Sequence, residues 1–162
     1  EGLIRITIFF IYIVLVSKME EIGRVFEYHG AEHKTIHCYE NGEELTIDNV
    51  RKHPILHPRC GTSFLFMVMI VSILVLSFFG WPNPMQRLLI RLVMLPVIAG
   101  ISYEINRLIG KSNSQLSYIL SYPGLLIQKM ATVKEPDDGQ IEVAIEALNG
   151  VLTGDGSDDL WR

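Results

Sequence analysis

The apolar residues of this chain fall in long runs rather than at alternating or amphipathic spacing. Leu3 to Val16 is apolar apart from Arg5 and Thr7. Thr62 to Trp81 carries no charge and closes on an aromatic residue of the kind that settles at a membrane–water boundary. Met85 to Ile109 is a third run, with Arg87 and Arg91 at one end, Pro96 and Gly100 near its middle, and Glu104, Asn106 and Arg107 at the other. A helix needs roughly 20 apolar residues to cross a bilayer core, so the pattern predicts spans over about 3–19, 62–81 and 85–109. The first run is short, which fits a span cut at its outer end, with helix continuing through Ser17, Lys18 and Met19 into the headgroup layer. Trp81-Pro82-Asn83-Pro84 forces a turn, because neither proline can continue a helical ladder. Pro96 and Gly100 point to a break within the third span.

Between the first two runs lies a polar segment, 20–61. Glu20 to Tyr39 lacks proline and reads as a helix extending the first span, weakened by Gly23 and Gly30. Asn41-Gly42 is a turn signal, and Leu45-Thr46-Ile47 a short extended piece. After the third span, Ser121-Tyr122-Pro123-Gly124 breaks the chain, and the apolar piece within 121–132 suits the membrane interface. Ile141, Ala144, Ile145 and Leu148 recur at helical spacing, predicting an amphipathic helix over 140–152; the polar run at 154–159 reads as disordered. The expected fold is therefore mainly α: a helical integral membrane protein with about three transmembrane helices and a His/Cys-rich segment. Residues 1–134 form the membrane domain and 135–162 a tail with one amphipathic helix.

Composition agrees with this picture. Of the 162 residues 49% are apolar, high for a soluble domain, and the net charge of −4 excludes a surface built to neutralise nucleic-acid phosphates. Lys18, Arg24, Lys34, Arg51, Lys52 and Arg59 lie in or beside the polar segment, and Lys111, Lys129, Lys134 and Arg162 follow the third span. The positive-inside bias places both regions in the cytoplasm of a multi-pass protein of the cytoplasmic membrane. Arg87 and Arg91 run against that bias, and a long side chain near a helix end meets the conflict by reaching back to the interface. The chain opens on Glu1 with its first apolar run already under way, as a fragment or processed product of a longer chain would.

The candidate chemistry sits in the polar segment. All five histidines and both cysteines fall between positions 29 and 60. On a helix His29 and His33 stand one turn apart with Glu32 beside them, the His-x-x-Glu-His order in which two imidazoles hold zinc and the carboxylate acts on its water. His37 repeats the spacing from His33. His29 and His37 would lie about 12 Å apart along the axis, so the three cannot share one ion. The remaining ligands are sought in His57 and Cys60, three residues apart beside Pro58, and in Glu104 at the end of the third span. Each has a plainer use: burial for Cys60 and Cys38, an ion pair with Arg107 for Glu104. Asp137 and Asp138 are either further carboxylate ligands for a hard cation or, for Asp137 with Gln140, a capping box opening the last helix. These residues predict a divalent metal, zinc before others, with Glu32 as general base.

Four ordered motifs resemble the YqhQ-like family of bacterial membrane proteins: Phe26 to Thr35, His57 to Phe64, Ala99 to Glu104, and Glu135 to Asp138. The resemblance covers most of the chain, from about Arg24 to Leu148. It implies a bacterial membrane protein of a family carried as a domain of unknown function and labelled as predicted metal-dependent enzymes. Members typically begin with a glycine-rich soluble segment ahead of the first span. The expected function is a metal-dependent, hydrolase-like membrane enzyme at the cytoplasmic face, acting on a lipid-like compound or a membrane-protein tail. Two alternatives stand beside it: a non-catalytic metal site that staples the cytoplasmic segment, and a transport or assembly factor, which with three spans would require a homo-oligomer.

Overall fold

The computed structural model describes residues 2–111 and 115–152, and among them it contains helices and no strands. The helices are α1 (Gly2–Val16), α2 (Glu20–Glu40), α3 (Ile47–Lys52), α4 (Gly61–Ser77), α5 (Pro84–Lys111), α6 (Gln115–Ile127) and α7 (Asp138–Asn149), with a π turn at Gln128–Thr132 between the last two. The chain divides into two compact units, one of residues 1–7 and 58–124, the other of 8–57 and 125–162. The polar run at 154–159 lies outside the described residues.

In the first unit, α4 and α5 pack side by side as a hairpin. The turn between them is the one the two prolines demand: Gly80 takes a φ of +62°, and the Asn83 side chain caps the start of α5 by accepting from the Gln86 amide at 2.9 Å. α5 is long and apolar enough to cross a membrane; α4 is apolar but shorter. Pro96 sits inside α5 without ending it, which corrects the expected break. Its missing donor costs one ladder bond, and the flanking turns carry the helix past it. Pro123 is likewise inside α6, so the chain does not break at 121–124. There Gly124 lets α6 approach α4, since a Cβ would stand 3.1 Å from the Ser63 backbone.

In the second unit, α2 does not extend α1. The helix ends at Val16, Ser17 Oγ donates to the Val14 carbonyl at 2.8 Å, and α2 departs at 98° to α1. The polar composition of α2 explains the turn: it packs on α7 and α3 instead. The expected extended piece at 45–47 is the lead-in to a helix that periodicity missed, with Thr46 capping α3 by accepting from the Asn49 amide. The core is small: Ala31, Cys38, Val50, Ile141 and Ile145, with Leu45, Ile47 and Ala144 against it. α7 opens on the predicted capping box, Asp137 accepting from the Gln140 amide and the Gln140 side chain from the Asp137 amide, both at 2.8 Å. Gln140 also donates to Glu27 on α2 at 2.8 Å, so the cap fixes α7 to its neighbour.

Candidate metal centre

The histidines occupy one stripe of α2 and the loop facing it. His29, His33 and His37 recur every four residues, and Glu40 continues the stripe three residues on. After α3, residues 53–57 run back along this stripe and bring His53 and His57 to it. The five imidazoles form one continuous chain. Ring centroids are 4.4 Å apart for His29–His33, 5.6 Å for His33–His57, 4.5 Å for His37–His57 and 6.4 Å for His37–His53.

Backbone carbonyls set the tautomers. His29 Nδ1 lies 2.8 Å from the Thr132 carbonyl, His33 Nδ1 2.6 Å from that of Ile55, and His37 Nε2 3.0 Å from that of Leu56. A carbonyl oxygen only accepts, so each of these nitrogens carries the proton. In the neutral ring the lone pair then sits on Nε2 of His29 and His33 and on Nδ1 of His37. That is how metal-binding histidines are oriented, one nitrogen tied to a carbonyl and the other presenting its lone pair. His57 is held through its backbone, its amide donating to Gln128 Oε1 at 3.0 Å and its carbonyl accepting from Gln128 Nε2 at 2.8 Å. Gln128 is fully buried and belongs to the π turn, whose widened backbone aims it at the loop.

Within the second unit, two groups of described residues have the spacing of ligand sets: His37, Glu40 and His57, and beside them Cys38, Glu43 and His53, with candidate donor atoms in each within 4.8 Å of one another. Glu40 Oε2 stands 3.6 Å from His57 Nε2, and Glu43 Oε2 3.4 Å from His53 Nε2. Burial pushes the His37 pKa below its ordinary value, against the Leu56 carbonyl and Glu40, so the ring is kept neutral. Burial, with the Glu43 charge, pushes the Cys38 thiol up, opposed by Lys52.

The other predicted residues are placed as follows. Glu32 is exposed on α2 and lines a groove toward α7 with Tyr28, Ile36, Val143 and Leu148, and no histidine borders that groove. Cys60 belongs to the first unit, where its thiol caps α4 by accepting from the Thr62 amide at 3.4 Å. Both cysteines are thiols rather than a disulfide. Glu104 is exposed on α5, 3.5 Å from Arg107. Asp138 pairs with Arg51, and Asp137 is occupied as the cap of α7.

Reasoning from sequence missed Glu40, Glu43, His53 and Gln128. Glu40 had a signal, since it follows His37 by three on the same helix; the other three depend on how the loop returns.

The family model described as "Protein of unknown function (DUF1385)" matches residues 1–154. The chain belongs to that family. Within it, the chain is similar to the "Uncharacterized protein YqhQ" of Bacillus subtilis (strain 168), 40% identical over 153 residues that cover 94% of this chain and 48% of that protein. The chain thus spans about half the length of this relative. No solved structure matches it. The resemblance drawn from the four motifs is therefore shown, and the motif from Phe26 to Thr35 is the part of α2 that carries His29 and His33.

Proposed function

We propose that this member of the family is a metal-dependent, hydrolase-like membrane protein whose divalent ion, zinc by donor type, is held by His37, His57 and Glu40. The observation that carries the proposal is the tautomer pattern: three imidazoles of one stripe are fixed through one nitrogen to loop carbonyls, which presents the other nitrogen as a donor. Two histidines and one carboxylate make a three-donor set, which leaves a tetrahedral ion one position for water or substrate. An ion there would supply Lewis acidity. His53, backed by Glu43, is a base outside the set and so a candidate to accept the proton. Membrane residence is supported by the length of α5 and by large apolar side chains left exposed along α1 and α5, such as Leu3, Ile8, Leu92 and Leu95, which lipid would cover. On this reading α1, α4 and α5 span the membrane, the histidine segment is cytoplasmic, and the substrate is a lipid-like compound or a membrane-protein tail.

Metal analysis of the purified chain tests this. The wild type should retain about one zinc per chain, and His57→Ala and Glu40→Gln should each lose it, while Glu32→Gln keeps it. A wild type without stoichiometric metal, or variants that retain it, would refute the assignment. One observation favours a second reading: the same ring-to-carbonyl bonds staple Ile55, Leu56 and Thr132 to α2 without any ion. In that case His33→Asn lowers stability to the same extent with and without a chelator.

A further inference from the structure

A second group of donors adjoins the proposed set without sharing a residue with it. His53 stacks on His37, with ring centroids 6.4 Å apart and planes 17° from parallel. His53 in turn groups with Cys38 and Glu43, one ligand atom of each lying within 4.8 Å of the others. Local signals deliver these donors to one place. Cys38 lies in the last turn of α2. Asn41-Gly42 then reverses the chain, with Gly42 at a φ of +70°. The Glu43 amide donates to the Cys38 carbonyl at 3.1 Å, which holds Glu43 against the end of α2. α3 packs on α2, with Val50 in the same core as Cys38. It ends at His53, whose amide donates to the Val50 carbonyl at 3.1 Å.

The observation that points to a ligand is His53 Nε2. It is buried and has no hydrogen-bond partner among the described residues, although Glu43 Oε2 stands 3.4 Å away, out of hydrogen-bonding alignment. Buried polar atoms in folded proteins are almost always partnered. The Cys38 thiol is only weakly engaged, 3.6 Å from the Glu44 carbonyl and 4.0 Å from that of Glu43. Cys38 is fully buried and Glu43 is exposed, so an ion would enter past the carboxylate. We propose that Cys38, Glu43 and His53 form a second metal site, for a divalent ion of the zinc type. Sulfur and imidazole donors select against magnesium and calcium, which take oxygen. The metal–sulfur bond forms as the thiol proton leaves to solvent. Because the ion must also displace the thiol's carbonyl contacts, the site fills after the first, and zinc that saturates the first leaves it unfilled. A ligated His53 has no lone pair left to accept a proton. On the reading that His53 is the base of the first site, on which this consequence alone rests, the second ion switches that site off.

Cobalt(II) separates the two sites, because a thiolate ligand gives a near-ultraviolet sulfur-to-cobalt charge-transfer absorption that the nitrogen and oxygen donors of the first set do not. The chain's other cysteine is Cys60, so Cys60→Ser leaves Cys38 as the one thiol and keeps an acceptor for the cap of α4. The full chain carrying that change, freed of metal with a chelator and held in neutral detergent micelles, is titrated with excess cobalt chloride. The absorption should grow saturably, persist when His57→Ala removes the first set, and vanish in Cys38→Ser. His53→Gln and Glu43→Gln keep the thiol and should each weaken cobalt about tenfold or more, since even a partner outside the ligand shell is worth that much. A band that persists in His57→Ala while the wild type holds no stoichiometric zinc leaves this site standing and refutes the first. No charge-transfer absorption at saturating cobalt, a band that survives Cys38→Ser, or unchanged affinity in both Gln variants at unchanged helix content overturns the proposal.

Discussion

Gly30 decides how the histidine stripe is held, and replacing it by alanine separates two opposed physical effects. Helix propensity alone predicts that Gly30→Ala stabilises α2 by about 1 kcal/mol. The tertiary structure predicts the opposite. A Cβ at residue 30 would stand 2.0 Å from the Lys134 carbonyl oxygen, whereas ordinary contact begins at 3.4 Å, so the 133–134 segment must retreat by about 1.4 Å. That retreat breaks the bond from the Lys134 amide to the Phe26 carbonyl, now 2.9 Å, and strains the bond between His29 and the Thr132 carbonyl two residues upstream. Overpacking costs roughly 1–3 kcal/mol and each lost hydrogen bond about 1. Set against the propensity gain, the overpacking and the one broken bond leave a net loss of about 1–3 kcal/mol. Thermal or urea unfolding followed by circular dichroism reads the sign, and amide exchange at Lys134 reads the cause, which should accelerate in the variant. A variant as stable as wild type, or more so, would show that the segment does not lie against α2 as described.

Other expectations follow from the same contacts. Lys34 is buried, donates to the Arg51 carbonyl at 2.9 Å and pairs with Glu135 at 2.5 Å; Lys34→Ala strands that carbonyl and should cost about 1–3 kcal/mol in urea unfolding. Asp137→Ala removes the cap of α7 and should cost about 1 kcal/mol by the same measurement, with Asp137→Asn retaining most of it. His37 is held below its ordinary pKa of 6.5, so below that pH the unfolded chain binds a proton that the folded chain refuses. Its contribution to stability is therefore full above pH 6.5 and is lost as pH falls through the folded value. Unfolding of metal-free protein from pH 7.5 down to 5 should show the decline, and His37→Gln should flatten it. Added zinc should raise the midpoint of wild type but not of His57→Ala, read by thermal shift in detergent.

The features legible along the chain are local: apolar runs long enough to be helices, the proline turn between the second and third, a polar helix carrying histidines every four residues, and the capping box that starts α7. Each follows from periodicity or turn chemistry within a few neighbours. That all five histidines fall within one short stretch was legible too, but the return of residues 53–57 that brings His53 and His57 to the stripe was not. The donor set was not legible. Glu32 neighbours His33 in sequence but turns toward α7, while Glu40 faces the returning loop, and that choice was made when Ile141 and Ile145 took the other side of α2 into the core. The 98° bend after Val16 and the unbroken passage of α5 through Pro96 were likewise decided by packing, because a local break signal only sets a cost of a few kcal/mol that contacts elsewhere can override.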